Sequence, residues 1–376
     1  MTAMRIWWIS FTLYYRRGIR TNSEGNAIDP KFKRLPVMLL SICLISSGAV
    51  SQPLFESDEP LSLVLEIPLT DLLRQASKKP TVPGVLRYMR NDGTEVVLDI
   101  DVTTRGNSRL KACSFPPLSI KLKRQQVDST IFSGQNKLKL VTQCGKKDMY
   151  RRYLNQEYAI YRIYNHLSDH SFRVRMLEVS YRDSSGRRKD KVQPAFFIEP
   201  NKAAAERLGM TTIDTNFIKL SQLEPVELST FTLFQFMIGN TDWSVRKGPG
   251  EKGCCHNGKV IATPDSDKGW VVLPYDFDQA GLINTRYSAP SDVLPIKSVR
   301  QRLYRGFCRD NVHLDATIAL FNDNRAAIED LVGNGPDGPS KNKSALKYVQ
   351  SFFEIINDPK KRQRSIIDRC QGKKTG

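Results

Sequence analysis

The chain has 376 residues, of which 40% are hydrophobic and 26% charged, and its formal net charge is +18. This is ordinary globular composition without an internal repeat or a long low-complexity tract, and it fits one large two-lobed domain or two small ones. The positive charge favours anionic partners such as nucleotide phosphates or acidic surfaces, but the scattered basic residues lack a zinc-finger or RNA-binding signature, which argues against specific nucleic-acid binding.

The first recognisable element is a basic segment, 31–34, followed by the apolar run 35–50, which ends in small residues. These features are typical of a secretory signal peptide. The run is shorter than the ~20 apolar residues of a membrane span, although an uncleaved anchor is the alternative. We expect cleavage near Ser51 or Gln52. Residues 1–52 are therefore predicted to be a leader and signal peptide, and the protein to be exported to the periplasm or outside the cell.

Six cysteines follow this leader, and an even set in an exported chain indicates disulfides. They are Cys113, Cys144, Cys254, Cys255, Cys308 and Cys370. The sequence leaves the pairing open, and we expect the adjacent Cys254 and Cys255 to bond to two different partners. A zinc site is the rival interpretation, but no CxxC pair occurs and His256 is the only histidine beside the cluster.

Residues 53–200 are predicted to form a β-rich region with one long helix. Alternating apolar residues indicate strands, and the turn at 91–93 indicates a hairpin. The predicted strands are 61–67, 84–89, 94–103, 118–122, 137–141, 173–181 and 192–198. Helical spacing of apolar residues predicts a short helix at 70–76 and a long amphipathic helix at 149–167.

Residues 201–376 are predicted to be α-rich. The predicted helices are 229–238, 314–321, 325–331 and 345–356, and two short strands are predicted at 259–262 and 270–273. The first helix runs directly into Gly239, and the second strand ends at a Pro-Tyr-Asp sequence. A strand end of this kind can hold a metal-ligating carboxylate at the floor of a cleft.

Two polar clusters stand out from the apolar sequence of this second half. Segment 239–243 reads Gly-Asn-Thr-Asp-Trp and is followed by Asn257, and segment 274–278 reads Pro-Tyr-Asp-Phe-Asp. Phosphoryl-transfer sites use such groups: one acid accepts the proton of the attacking hydroxyl, while an amide and a second acid hold the divalent ion at the phosphates. The clusters therefore predict an ATP-dependent kinase.

A third motif, Arg-Gly-Asn-Ser at 105–108, follows a predicted strand. Together with the basic strand, the long helix and the Gly-Asn-x-Asp and Asp-x-Asp motifs, it resembles the spore-coat kinase family of the CotH type, in the same order over residues 84–285. That family is an atypical branch of the protein-kinase-like fold and phosphorylates proteins with ATP. The resemblance implies an α+β, bilobal protein-kinase-like fold with a β-rich N-lobe, an α-rich C-lobe and a nucleotide between them.

The resemblance also implies roles for individual residues. Asp242 would be the catalytic base for a protein or other hydroxyl acceptor. Mg or Mn would be bound by Asn257 and Asp276, with Asp278 as a further ligand or else as a solvated neighbour. Asn257 lies fifteen positions after Asp242, whereas the usual kinase loop has four residues between its Asp and Asn. Asn240 or Ser244 is therefore the alternative ligand.

Nucleotide phosphates are expected at two further places. Arg105 and Ser108 lie on a loop that would cover them, with Gly106 allowing close approach of the backbone, or else in an ordinary turn. Lys139 would contact phosphate and pair with Glu157 on the long helix, the alternative being a solvated lysine and a surface glutamate.

Three other functional classes stay open. The first is a catalytically inactive kinase-like binding module of the cell envelope. The second is a metal-dependent glycosyltransferase, which also uses an Asp-x-Asp motif, although the chain lacks the alternating strands and helices of a nucleotide-sugar fold. The third is a purely structural envelope protein, which would bind neither nucleotide nor metal.

Overall fold

The computed structural model describes residues 54–248, 250 and 253–372. The predicted leader and signal peptide lie outside this part of the chain. Within the described residues, no helix has both the length and the apolar character needed to cross a membrane.

Seven strands of the N-terminal half form a closed barrel. They are β1 (Leu61–Ile67), β2 (Thr81–Met89), β3 (Glu95–Thr104), β4 (Leu118–Leu122), β5 (Lys137–Thr142), β6 (Val174–Asp183) and β7 (Lys191–Ile198). Their order around the barrel is β1-β2-β3-β4-β5-β7-β6, and β6 returns to pair in parallel with β1 over seven residue pairs, from Leu61 with Leu177 to Ile67 with Asp183. The other neighbours are antiparallel.

This closure shows that the expected bilobal protein-kinase-like fold is wrong, whereas the broader α+β class agrees with the structure. Alternation of apolar residues predicts each strand separately, because it reports only which side chains are buried. It does not report which strand lies beside which. The parallel pairing of β1 with β6, more than a hundred positions away, is therefore the feature that the sequence patterns do not contain.

The remaining structure consists of helices and a small antiparallel sheet. The helices are α1 (Leu69–Arg74), α2 (Ser108–Ala112), α3 (Arg124–Val127), α4 (Asp148–Leu167), α5 (Asn201–Arg207), α6 (Pro225–Ile238), α7 (Leu314–Asp323), α8 (Arg325–Gly333), α9 (Pro339–Asn357) and α10 (Pro359–Ser365). The sheet has the order β10-β9-β8, with strands β8 (Thr211–Thr212), β9 (Gly258–Ala262) and β10 (Val271–Pro274).

Strand β7 joins the barrel to the helices because both of its faces are buried. Ala195 and Phe197 point into the barrel core, while Phe196 and Ile198 belong to the core that contains α4 and α6. Successive side chains of a strand point to opposite faces, so the continuous apolar run at the end of β7 serves two cores. The contact between Phe196 and Tyr161 fixes α4 against the outside of the barrel.

Helix α6 delivers the first polar cluster to the site. It begins at Pro225 after the N-cap Glu224, whose side chain accepts a hydrogen bond from the Glu227 amide, and it ends at Gly239. Gly239 has a φ of +65°, and a Cβ there would lie 2.0 Å from the Tyr348 hydroxyl. Only glycine fits this left-handed turn, which directs the chain toward Asp242.

All six cysteines after the leader form disulfides, as the even count predicted. The pairs are Cys113–Cys144, Cys254–Cys255 and Cys308–Cys370. The expectation that Cys254 and Cys255 would bond to different partners is wrong, because the other four cysteines pair among themselves at Cα separations of 4.7 and 4.9 Å. These six cysteines therefore leave no free thiolate for the rival zinc site.

Candidate functional site

The ends of several elements meet at one cleft that the sequence motifs line. Its walls include Arg105, Ser108, Glu157, Tyr275, Asp276 and Asp278. They come from the end of β3, the start of α2, the middle of α4 and the segment after β10. The enclosed part of the cleft is about 40 Å³, room for a water molecule or a bare cation. A larger ligand would have to lie over the opening.

Arg109, on α2, is the central cation of this site. Its Nη2 atom donates to both carboxylate oxygens of Glu157 at 2.7 Å, and its Nε atom donates to Asp278 Oδ2 at 2.9 Å. Only 8% of Arg109 is exposed. A buried charge needs such partners to offset its desolvation. The three side chains therefore form one buried ionic cluster, which we call the Arg109 cluster.

The Arg109 cluster corrects the expected pairing of Glu157 with Lys139. Burial raises the pKa of Glu157 to about 7, and the charge and hydrogen bonds of Arg109 oppose this rise. The Arg-Gly-Asn-Ser motif ends at Ser108 and therefore does not include Arg109. The five-residue α2 is too short to show the helical periodicity that would have predicted a helix there. The one feature of the sequence that could have indicated Arg109 as a site residue is its position directly after the Arg-Gly-Asn-Ser motif.

A disulfide holds α2 in place. Cys113 follows the last residue of α2, and Cys144 follows the last residues of β5. The amide of Phe115 also donates to the Cys144 carbonyl at 3.1 Å. This link fixes the Arg109 helix next to the strand that carries Lys139.

Three cations surround the ring of Tyr275. Lys139 Nζ lies 4.1 Å from the ring centroid and Lys259 Nζ 6.0 Å, while Arg105 donates a hydrogen bond to the Tyr275 hydroxyl. None of the three forms an ion pair with a carboxylate among the residues that the structure describes. We call this group the Tyr275 cation cluster. Lys259 was not predicted, because a single lysine on a short strand carries no distinctive pattern.

Lys139 is the most perturbed member of this cluster. Its pKa is lowered to about 7, first by burial and then by the positive charges of Arg105 and Lys259, while Asp276 acts in the opposite direction. Like charges that lie close together favour the binding of an anion, so the Tyr275 cation cluster, whose Arg105 lines the cleft, is suited to bind one.

Asp242 lies in a second network beside the cleft. Its Oδ1 atom is 2.6 Å from His256 Nε2, and its Oδ2 atom accepts from Asn257 Nδ2 at 2.9 Å. The hydrogen bond to Asp242 raises the pKa of His256, although burial opposes it. The Asp242 amide donates to Asn240 Oδ1 at 3.0 Å. Asn240, the alternative metal ligand, therefore orients the loop.

The long spacing between Asp242 and Asn257 is closed by backbone pairing. Ser244 and His256 exchange hydrogen bonds of 3.0 and 3.1 Å, which bring the two ends of the intervening segment together. The hydroxyl of Ser244, the other alternative ligand, accepts from the amides of Arg246 and Lys247. The fifteen-residue spacing thus still brings Asn257 to Asp242.

The β9–β10 hairpin joins this network to the second polar cluster. Gly258 pairs with Pro274, and the Tyr275 amide donates to the Asn257 carbonyl at 3.1 Å. Asn257 is therefore a backbone neighbour of the residue that precedes Asp276. The negative charge of Asp242 also raises the pKa of Asp276, which places the two carboxylates in one electrostatic site.

Asp276 and Asp278 differ in environment. Strand β10 ends before Asp276, which has a φ of +61°, a left-handed conformation that is rare for residues other than glycine and is enriched at functional sites. The side chain of Asp276 is 40% exposed, whereas that of Asp278 is 7% exposed and bound by Arg109. Burial and the charge of Asp278 raise the pKa of Asp276, and Arg109 and Arg105 oppose this rise. Asp276 is the more exposed of these two carboxylates of the cleft.

The available oxygen donors suit a hard divalent cation. Arg109 binds only Oδ2 of Asp278, and Asn257 uses its amide nitrogen on Asp242, which leaves an oxygen of each side chain for a ligand. Mg²⁺ and Mn²⁺ prefer carboxylate and amide oxygens. In the part of the chain that is described, no group of three or more His, Cys, Asp or Glu side chains has the arrangement of a metal site.

No protein-family model and no curated protein matches the chain. The resemblance to the spore-coat kinases therefore stays a prediction.

Proposed function

We propose that the protein transfers the γ-phosphoryl group of ATP to a hydroxyl group of a protein or small-molecule acceptor, with Mg or Mn. The observation that carries the proposal is the charge distribution of the cleft. The Tyr275 cation cluster lies next to Asp276, and Asp242 is close enough to Asp276 for its charge to raise the pKa of that carboxyl. Phosphoryl transfer depends mainly on positioning and on neutralising phosphate charge, and this arrangement supplies both.

Each group has a defined task in this proposal. Arg105, Lys139 and Lys259 bind phosphate oxygens. Asp242 accepts the proton of the acceptor hydroxyl, and Asn257 orients Asp242 by its hydrogen bonds. The ion, held by Asn257, Asp276 and Asp278, would neutralise charge on the phosphates. The small enclosed volume leaves room for the ion, while the nucleotide would lie over the opening beside the 105–108 loop.

A second function, a binding module without catalysis, is favoured by one observation. Both carboxylate oxygens of Asp242 already take part in hydrogen bonds, one with His256 and one with Asn257. A base in this position would have to take up the substrate proton on an oxygen that already accepts a hydrogen bond. In this alternative the cleft would not bind ATP with a metal ion.

A thermal-shift titration separates the two functions. The protein, with its disulfides formed, is titrated with ATP in the presence and absence of Mg²⁺ or Mn²⁺. A ligand that binds only the native state raises the melting temperature as its concentration rises. A metal-dependent rise, followed by transfer of label from γ-labelled ATP to an acceptor, supports the transferase. The absence of any shift supports the binding module.

We also propose that the protein is exported through its predicted signal peptide to the periplasm or outside the cell. The three disulfides support this proposal, because such bonds persist in oxidising compartments. Cell fractionation with mass measurement of the mature chain tests it. A chain that starts near residue 51 outside the cytoplasm is expected, and a full-length cytoplasmic chain would refute it.

A further inference from the structure

The environment of the Lys139 amine differs from that of Arg109. The amine stands over the Tyr275 ring at 4.1 Å, and it has no carboxylate partner within ion-pair distance among the described residues. By contrast, Arg109 has three carboxylates within ion-pair distance, those of Glu157, Asp276 and Asp278. A lysine that is desolvated next to other cations is activated in this way for covalent chemistry with carbonyl compounds.

Two neighbouring cations give this amine a preference for one class of electrophile. Arg105 bonds to the Tyr275 hydroxyl, and Lys259 faces the same ring. Both lie close enough to act on the charge of Lys139. A phosphate group bound between Arg105 and Lys259 would bring a carbonyl group on the same small molecule to the amine.

We propose that Lys139 forms an imine with a phosphate-bearing aldehyde whose phosphate is bound by Arg105 and Lys259. The Lys139 nitrogen lone pair adds to the carbonyl carbon, and the C=O π electrons move to oxygen. The nitrogen gives up both of its protons, and the oxygen leaves as water when the C=N bond forms. The step needs no oxidant or reductant, and it does not require the proposed phosphoryl transfer.

The groups that face Lys139 determine its protonation. They are Arg105 from the end of β3, Lys259 from β9, Tyr275 and Asp276 after β10, and Lys137 from its own strand. Burial and the three cations together lower the pKa of Lys139 to about 7, which leaves a large neutral fraction at neutral pH. Lys137 is exposed on the same strand and provides a matched control.

Pyridoxal phosphate with borohydride trapping is the direct test. The reduced adduct is located by peptide mass mapping in the native protein and in the Lys139→Arg and Lys137→Arg variants. We expect one adduct per chain at Lys139, its absence in Lys139→Arg, and no change at Lys139 in Lys137→Arg. The rate should level off above about pH 7, whereas labelling of an ordinary lysine keeps rising toward its pKa of about 10.4.

Two comparisons test the recognition of phosphate. Pyridoxal, which lacks the phosphate, should label Lys139 at least about tenfold more slowly, which corresponds to ~1.4 kcal/mol of phosphate binding. Inorganic phosphate should protect Lys139. Labelling spread evenly over exposed lysines, or equal rates with pyridoxal, would overturn the proposal. Protection by phosphate but not by ATP would leave this site intact and count against the proposed phosphoryl transfer.

Discussion

Arg109 and Glu157, 48 positions apart in the sequence, are joined by two hydrogen bonds of 2.7 Å in the buried wall of the cleft. The same guanidinium group binds Asp278. One cation thus fixes a helix of the barrel region, the long helix α4 and the Asp-x-Asp segment relative to each other. Stability and site geometry depend on the same contacts.

Replacement of Arg109 by Met should destabilise the protein by about 3–5 kcal/mol, because it leaves two buried carboxylates without a partner. Urea denaturation of the native protein and the variant measures the difference. The double variant Arg109→Met/Glu157→Met should recover part of the loss, since it removes one of the unpaired charges. Arg74→Met is the control, because Arg74 forms only an exposed ion pair with Asp71. A loss of less than ~1 kcal/mol in Arg109→Met would show that the cluster is not buried as described.

The Arg109 cluster also illustrates what the sequence can and cannot predict. Strands β1 and β4 have the predicted bounds, and α4 begins one residue earlier than predicted, because hydrophobic alternation and helical spacing are local patterns. The barrel closure depends on a pairing of distant strands, which no local pattern reports. Helix α2 is too short to show periodicity, so its Arg109 was missed.

The predicted site residues converge for a reason that is visible in the sequence. Arg105 and Asp276 follow strands, and Asp242 follows a helix that ends in glycine. Polar residues at the ends of buried elements lie at the rim of a core, where a cleft can form. The partner of each side chain, however, depends on tertiary packing. For this reason the sequence predicts an ion pair of Lys139 with Glu157, whereas in the structure the Lys139 amine lies over the Tyr275 ring.

Replacement of Asp276 by Ala should leave the protein folded and remove metal-dependent nucleotide binding. The side chain of Asp276 is 40% exposed, and its buried neighbour Arg109, 3.7 Å away, keeps Glu157 and Asp278 as partners after the change. The measurement is the shift in melting temperature with ATP and Mg²⁺, which should fall to zero. The exposed Asp292, changed to Ala, is the control and should keep the full shift. Undiminished binding in Asp276→Ala would remove Asp276 from the site.

Replacement of Asp242 by Asn should abolish phosphoryl transfer while sparing nucleotide binding. A general base acts in the chemical step, so we expect a loss of at least about 10²-fold in kcat. The test is turnover of γ-labelled ATP together with the thermal shift for ATP and Mg²⁺. The amide side chain keeps the size of Asp242, so a change in fold is not expected. Full turnover in Asp242→Asn would exclude Asp242 as the base.

The pair of His170 and Glu227 should make stability depend on pH. His170 Nδ1 lies 2.8 Å from Glu227 Oε1, and this hydrogen bond raises the pKa of His170, while burial opposes the rise. A histidine whose pKa is higher in the folded protein contributes stability below its unfolded pKa of about 6.5, and that contribution is lost as the pH rises through the folded value. The pair should therefore stabilise the protein most in mildly acidic solution.

The His170→Asn variant isolates this contribution from that of His256, whose pKa is raised as well. Urea denaturation at about pH 5.5 and pH 8.5 gives the free energy of unfolding of both proteins. We expect the variant to lose more stability at the lower pH, because only there does the native His170 carry its charge beside Glu227. An equal loss at both pH values would mean that the hydrogen bond to Glu227 does not depend on the charge of His170.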